Sequence, residues 1–168
     1  MAHQSTHDEQ VKKVADLMKD VKIAMLTTSA GNGGLHSRPM GVQQVEFDGD
    51  LWFFASRSSR KAAEIRQNSM VNVAFSKPDD QTYVSVSGHA ELVDDQGKTK
   101  ELWNPLLKAW FPKGIDDPDL TLIKIEVDGA EYWDSPSSAV VTLFGFVKSL
   151  ATGSPPDIGE NERVDLRK

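Results

Sequence analysis

Hydrophobic and polar positions recur at two periods along this chain, one near 3.6 and one of two. Val11, Val14, Ala15 and Met18 follow Thr6 and Glu9, a pair that fits a capping box, so residues 7 to 19 are expected to form an amphipathic helix. From Val21 to Thr28 the residues alternate as in a strand, with Val21, Ile23 and Met25 on one face and Lys22, Ala24 and Leu26 on the other. Gly31-Asn32-Gly33-Gly34 turns the chain into a second strand, about Leu35 to Phe47, and Asp48-Gly49-Asp50 makes a hairpin turn into the apolar strand Leu51-Trp52-Phe53-Phe54. Ser58 is the expected cap of a short helix, Ser59 to Asn68. Val71, Val73 and Phe75 then form a strand closed by Pro78-Asp79-Asp80, and Val84, Val86, Ala90 and Leu92 carry a long strand with a bulge or close backbone approach at Gly88.

Leu102, Trp103, Leu106 and Trp110 share one helical face, which predicts a helix over 97 to 111 that Pro105 must kink or divide. Ile123, Ile125 and Val127 alternate with Lys124 and Glu126 before a turn at Asp128-Gly129, and Ala130 to Trp133 returns as the second arm of a last hairpin. One more helix is expected over 137 to 150, followed by Gly153-Ser154-Pro155-Pro156 and a charged end without a core face. The domain is therefore placed at residues 1–152, with 153–168 as a flexible tail. The tally is mainly β with peripheral helices: about six antiparallel strands, with no βαβ rhythm, best accommodated as a closed or partly closed barrel. No internal repeat, no GxxxxGK[ST] and no GxGxxG occurs.

The 168 residues suffice for one domain with a real core, and 39% hydrophobic with 26% charged residues is a soluble globular composition. A net charge of −6, from 25 acidic and 19 basic residues, argues against nucleic acid or an anionic membrane as partner. The absence of cysteine removes disulfides, thiolate nucleophiles and thiolate metal sites together. Met1 to Gln10 is polar and unlike a signal peptide, and no apolar run approaches 18 residues, so a cytoplasmic protein is expected.

Candidate chemistry concentrates in Trp52-Phe53-Phe54-Ala55-Ser56-Arg57-Ser58-Ser59-Arg60-Lys61, where an apolar strand ends in hydroxyls and cations at a helix start. Helix-start amides and dipole favour a dianion, serine hydroxyls donate, and Arg60 with Lys61 supplies charge, which together suit a phosphate. On its own the pattern also describes a serine-capped surface helix with ordinary basic residues. In His36-Ser37-Arg38-Pro39-Met40 a proline interrupts a strand, so this is either an edge strand beside a loop or irregular backbone that a heterocycle can use, with Arg38 as a second cation. His3, His7, His36 and His89 lack the paired spacing of a zinc site, and no metal site is expected. Asp94-Asp95 and Asp116-Asp117 read as turn and cap residues.

Taken together, S-R-P-M at 37–40, F-A-S at 54–56, S-R-K-A-A-E-I at 59–65 and V-N-V-A-F-S at 71–76 resemble the general stress protein 26 group and, more distantly, pyridoxamine 5′-phosphate oxidase. Trp110-Phe111-Pro112, Asp116-Asp117-Pro118 and Glu131-Tyr132-Trp133-Asp134 extend the likeness, which covers roughly residues 7 to 150. The resemblance implies a six-stranded split barrel of the FMN-binding type and a homodimer holding one FMN, or FAD, in each of two interface clefts. By position it implies that Arg60 and Lys61 grip the phosphate with Ser56 and Ser59 as helpers. It further implies that Arg38, Pro39 and Met40 run along the flavin ring, that the backbone at Phe54 and Ala55 faces it, that Trp133 reaches it from the partner subunit, and that Trp110 walls the cleft. The dimer has a physical motive too, since Trp103, Trp110, Phe111, Trp133, Phe144 and Phe146 are more than so small a barrel covers alone.

The departures narrow the function. The oxidase's Arg and His that hold the pyridoxal phosphate ester have no counterpart, because residues 131 to 150 offer only Lys148 as a cation, so vitamin B6 oxidation is not expected. Two functions stay open: a flavin-dependent oxidoreductase with a small-molecule redox partner not named by the sequence, or a flavin-binding stress sensor or scavenger without turnover. Relatives of this fold that use deazaflavin F420 or haem supply a third reading; haem would need His36 or His89 as axial ligand, and the Arg60-Lys61 pair favours FMN.

Overall fold

The computed structural model describes residues 6–135, 139–155 and 159–167. The first helix, α1 (His7–Met18), has the capping box its sequence promises: Thr6 N donates to Glu9 Oε2 at 2.8 Å and Glu9 N to Thr6 Oγ1 at 3.3 Å. There follow β1 (Ile23–Ser29), β2 (Leu35–Gly41), β3 (Asp50–Ser56), α2 (Arg60–Gln67), β4 (Met70–Lys77), β5 (Thr82–Val93), α3 (Gln96–Leu102), β6 (Leu120–Asp134), α4 (Ala139–Thr152) and β7 (Glu160–Asp165).

The strands form one antiparallel sheet in the order β2-β1-β4-β5-β6-β3, with β7 added to β6. The sheet curls until its edge strands β2 and β3 approach each other without pairing, which leaves a half-barrel split between them. Alternate residues fill the interior: Ala24, Leu26, Met40, Phe53, Ala55, Val73, Phe75, Val84, Val86, Ile123 and Ile125 belong to one buried cluster under α1. A second cluster of Phe54, Leu102, Phe111, Leu120 and Leu122 closes the other side of β3.

Several expected boundaries move, each for a physical reason. β2 ends at Gly41 rather than Phe47, because β1 begins only at Ile23 and residues 42–47 have no strand beside them. Pro39 sits on this edge strand, where its missing N–H costs no ladder bond. Ser59, not Ser58, caps α2, accepting from Ala62 N at 3.4 Å. The predicted helix over 97 to 111 is divided at Pro105: α3 is capped by Asp95, whose Oδ1 accepts from Lys98 N at 2.9 Å, and Pro105–Ala109 forms a separate 3-10 turn.

Asp128-Gly129 is not a hairpin turn. β6 runs unbroken through it, with Ser87 opposite Gly129 and Gly88 opposite Val127, so that Asp128 is the extra residue of a bulge. A Cβ on Gly88 would collide with the Glu126 carbonyl oxygen, which is the close approach expected there. Beyond the bulge, the stretch of the same β6 edge that β3 leaves free accepts β7, from Gly129 opposite Asp165 to Asp134 opposite Glu160. The end of the chain therefore has a core face, contrary to the expected tail: Val164 and Leu166 are buried in the main cluster. Two apolar residues among charges signal a strand weakly, and an open edge of β6 gives them a place. The expected helix over 137 to 150 corresponds to α4, although residues 137 and 138 lie outside the described part.

Leu166 is only 1% exposed. Leu166→Ala is expected to cost about 2–5 kcal/mol, the usual range for emptying a buried leucine site, and to lower the urea midpoint accordingly. An unchanged midpoint would show that the terminal strand does not pack on the barrel in solution.

Candidate functional site

The turn from β3 into α2 is held by acids that arrive from elsewhere in the chain. Ser58 donates its backbone N–H and its hydroxyl to the two Asp119 carboxylate oxygens, both at 2.9 Å, and Arg57 N donates to Asp119 O at 2.7 Å. The Arg57 guanidinium makes a two-pronged contact to Asp94, 2.8 Å on each arm, and reaches Leu120 O at 3.1 Å. Hydrogen bonds from Arg57 hold Asp94 below the ordinary carboxylate range, and those from Ser58 do the same for Asp119. Arg57 and Ser58 are thereby committed to the scaffold.

Arg60 and Lys61 are not. Among the described residues neither has an ion-pair partner, and both line a shallow depression of about 490 Å³ shared with Ser59 and with Leu35, His36, Ser37 and Arg38 of β2. Burial, and after it the Arg38 charge, push the Lys61 pKa down. Both effects disfavour the ammonium, and a bound anion would oppose them. The first-turn amides of α2, which have no carbonyl four residues back within the helix, start at the same place.

Arg38 enters from the inner face of β2, next to α2. Its Nη1 donates to Thr28 Oγ1 at 2.6 Å and Leu26 O at 3.3 Å, and its Nη2 to Glu64 Oε2 at 3.2 Å. Glu64, 6% exposed, also accepts from Thr28 Oγ1 at 2.5 Å and lies 2.6 Å from His36 Nδ1. The Thr28 hydrogen bond, helped by His36 and Arg38 and opposed by burial, draws the Glu64 pKa down to about 2. With Glu64 ionised, Arg38, Arg60 and Lys61 leave a surplus of positive charge at the depression, the complement of a phosphate monoester.

The structure thus brings together Arg38, Ser59, Arg60 and Lys61. Ser56 ends β3 just before this turn. Met40 and Ala55 are buried in the barrel, and Phe54 meets Trp103 edge to face at 5.8 Å in the second cluster, so from Phe54 and Ala55 only backbone remains for a ligand. Pro39 lies on the outer face opposite Met25. Trp110, 74% exposed, and Trp133, 41% exposed and opposite Tyr83, do not line the depression. His89 is placed beside Ser69 and Asp128, also outside it. A larger cavity of about 870 Å³ runs between α1 and residues 42–50, but its rim is mainly acidic, with Asp8, Asp16, Glu46 and Asp48 against Lys12 and Lys19. The smaller depression has the chemistry for an anion.

Sequence reasoning missed Glu64 and Thr28 as parts of the site. A lone carboxylate among Ala62, Ala63 and Ile65 signals something only once its partners on β1 and β2 are known. Local pattern does not separate Arg57 from Arg60; the family resemblance singles out Arg60, and the structure shows why Arg57 is unsuited, since Asp94 engages it.

A model of proteins described as pyridoxamine 5′-phosphate oxidase like matches residues 9–157. The chain belongs to that family. Protein bli-3 of Neurospora crassa is 28% identical over 167 residues, covering 94% of this chain and 80% of that one. The general stress FMN/FAD binding protein of Xanthomonas citri superposes with a TM-score of 0.67 at 32% identity, covering 78% of this chain and 92% of that one. General stress protein 26 of Bacillus anthracis str. Sterne gives 0.63 at 28%, covering 74% and 91%. The pyridoxamine 5′-phosphate oxidase-like split barrel is therefore the fold of this chain, and these two structural neighbours are described as general stress proteins.

Glu64 ties stability to pH. Its pKa falls from an ordinary 4.5 to about 2 on folding, so its contribution is complete above pH 4.5 and disappears as pH drops toward 2. The urea midpoint of the native protein is expected to decline across that window more steeply than that of Glu64→Gln. Equal slopes would mean that Glu64 is no better stabilised as an anion in the fold than in the unfolded chain.

Proposed function

We propose that this protein binds FMN, with FAD as the alternative, and acts as a flavin-dependent oxidoreductase of the general stress type. The observation that carries the reading is the unpaired Arg60 and Lys61 beside Arg38 at the start of α2, where the split barrel opens. The description of the Xanthomonas citri protein as FMN/FAD binding supports it. Arg38, Ser59, Arg60 and Lys61, with Ser56 adjacent, would hold the phosphate. The ring would lie along the split, where unpaired backbone of the edge strands at Arg38 to Met40 and Phe54 to Ala55 faces it. The bound flavin supplies hydride and electron transfer; the chain supplies orientation, charge balance and a dry wall.

We also infer a homodimer with the cofactor at its interface. On the outer face of the sheet, Ile23, Met25, Tyr83 and Trp133 are exposed apolar side chains, and Phe146 of α4 is exposed as well. Such a surface is costly in water, and a two-fold partner would cover it while bringing Trp133 to the opposite cleft. No helix among the described residues is long and apolar enough to cross a membrane, and a cytoplasmic protein is proposed. Pyridoxamine 5′-phosphate oxidation is not proposed, because residues 131 to 150 offer only Lys148 as a cation for a second phosphate. The same feature favours a second reading, a flavin sensor or scavenger, since among the described residues no second cluster of cations for a charged substrate accompanies the cofactor cradle.

Sedimentation followed at the flavin absorption bands is expected to show a coloured species of about twice the 18.5 kDa chain mass. A colourless monomer that takes up no added FMN would overturn the reading. Anaerobic NADH or NADPH should bleach the bands of an oxidoreductase, whereas bands that persist would favour the sensor. Arg60→Ala is expected to weaken FMN binding by about tenfold or more, the worth of a charged hydrogen bond, and riboflavin binding far less. Equal losses for both ligands would remove the phosphate contact.

A further inference from the structure

Glu64 is buried, ionised and central to three donors, yet the proposed cofactor grip does not use it. It projects from the same helix as Arg60 and Lys61 and touches two side chains of β2, His36 and Arg38, that line the depression with them. Those two are alternate residues of one strand and share its inner face. The carboxylate therefore acts across the gap between α2 and β2, at the point where the two elements form the cradle.

The hydrogen-bonding inventory says what this does. An ionised carboxylate only accepts, so the His36 Nδ1 at 2.6 Å from Glu64 Oε1 carries a hydrogen. Nε2 is left for a ligand, and it donates to a phosphate oxygen when the ring is the imidazolium, the form favoured between a carboxylate and a dianion. Arg38 gives three of its N–H groups to Glu64, Thr28 and Leu26, which sets the plane of the guanidinium; two of the five remain to donate elsewhere. Thr28 completes the arrangement, since its hydroxyl donates to Glu64 and accepts from Arg38. Without the Glu64 carboxylate, Arg38 and His36 would repel Lys61 and each other when charged.

We propose that Glu64 is the positioning residue of the phosphate grip and that His36 is a further phosphate donor, so that a terminal dianion is read by His36 and Arg38 from β2 as well as by Arg60 and Lys61 from α2. This rests on the FMN reading and extends it to specificity. A monoester phosphate carries nearly two charges and three terminal oxygens, which can meet donors from two sides. The inner phosphate of FAD carries one charge and gives up an oxygen to the pyrophosphate bridge. The grip thus favours FMN over FAD and over riboflavin.

The test titrates the full chain and its variants with FMN, FAD and riboflavin by fluorescence quenching, and records the His36 ring by nitrogen-15 NMR as inorganic phosphate is added. Glu64→Gln makes the cradle more positive, so simple charge attraction predicts tighter FMN binding. Positioning predicts the opposite: about tenfold weaker FMN binding, with riboflavin unchanged and the FMN preference over FAD reduced. His36→Asn, at a half-exposed position, is expected to lose about threefold to tenfold on FMN alone. Phosphate is expected to shift the His36 Nε2 resonance of the native protein. Unchanged or tighter FMN binding by both variants, or a His36 resonance indifferent to phosphate, overturns the proposal while leaving FMN binding intact. A native protein that binds no FMN yet shows the phosphate shift would overturn the flavin reading and keep the anion grip. Should Glu64→Gln not fold, His36→Asn and the native resonance decide.

Discussion

The ion network around Glu64 ties α2 to the two strands β1 and β2, which themselves pair with Thr28 opposite His36. A carboxylate taken out of water costs several kcal/mol unless donors replace the lost hydration, and here a hydroxyl, a guanidinium and an imidazole do so. The consequence is geometric as much as energetic. α2 could rest on the barrel at many angles through Ala62 and Ile65 alone, but Glu64 must meet Thr28 of β1 and both His36 and Arg38 of β2. That requirement sets where the helix start, with its free cations, stands relative to the edge of the sheet.

The sheet itself depends on one strand in an analogous way. β6 pairs with β5 along its whole length and divides its other edge between β3 and β7, the Asp128 bulge separating the two partners. The bulge bends the strand enough for the sheet to curl, and Gly88 is what lets β5 pass the Glu126 carbonyl there. Because β3 takes only the first half of β6, its own far edge stays unpaired. The opening opposite β2 is thus a product of strand pairing and not of a separate loop.

Division of labour among the cations follows the same logic. Arg57, Arg60 and Lys61 lie within five residues, yet Arg57 meets Asp94 and is structural, while no acid among the described residues pairs with the other two. A positively charged pair left without acids beside a third cation is an electrostatic strain that a phosphate relieves. The pairing of Ser58 with Asp119 likewise leaves Ser59 to cap the helix.

The sequence by itself determined the local elements: the capping box of α1, the alternation of the strands, the break at Pro105, the special place of Gly88, and the cluster of hydroxyls and cations at the end of β3. These depend on neighbours within a few residues, through backbone conformation and side-chain period. It also carried the family likeness, which is spread along most of the chain. Only the tertiary structure decided that Asp128-Gly129 is a bulge within one strand, that Val164 and Leu166 return to the core, that Arg57 is engaged and Arg60 is not, and that Glu64 holds His36 and Arg38. Each of those outcomes turns on a partner at least 26 residues away in the chain. Burial and charge pairing are energies of encounter, and local pattern does not say which groups will meet.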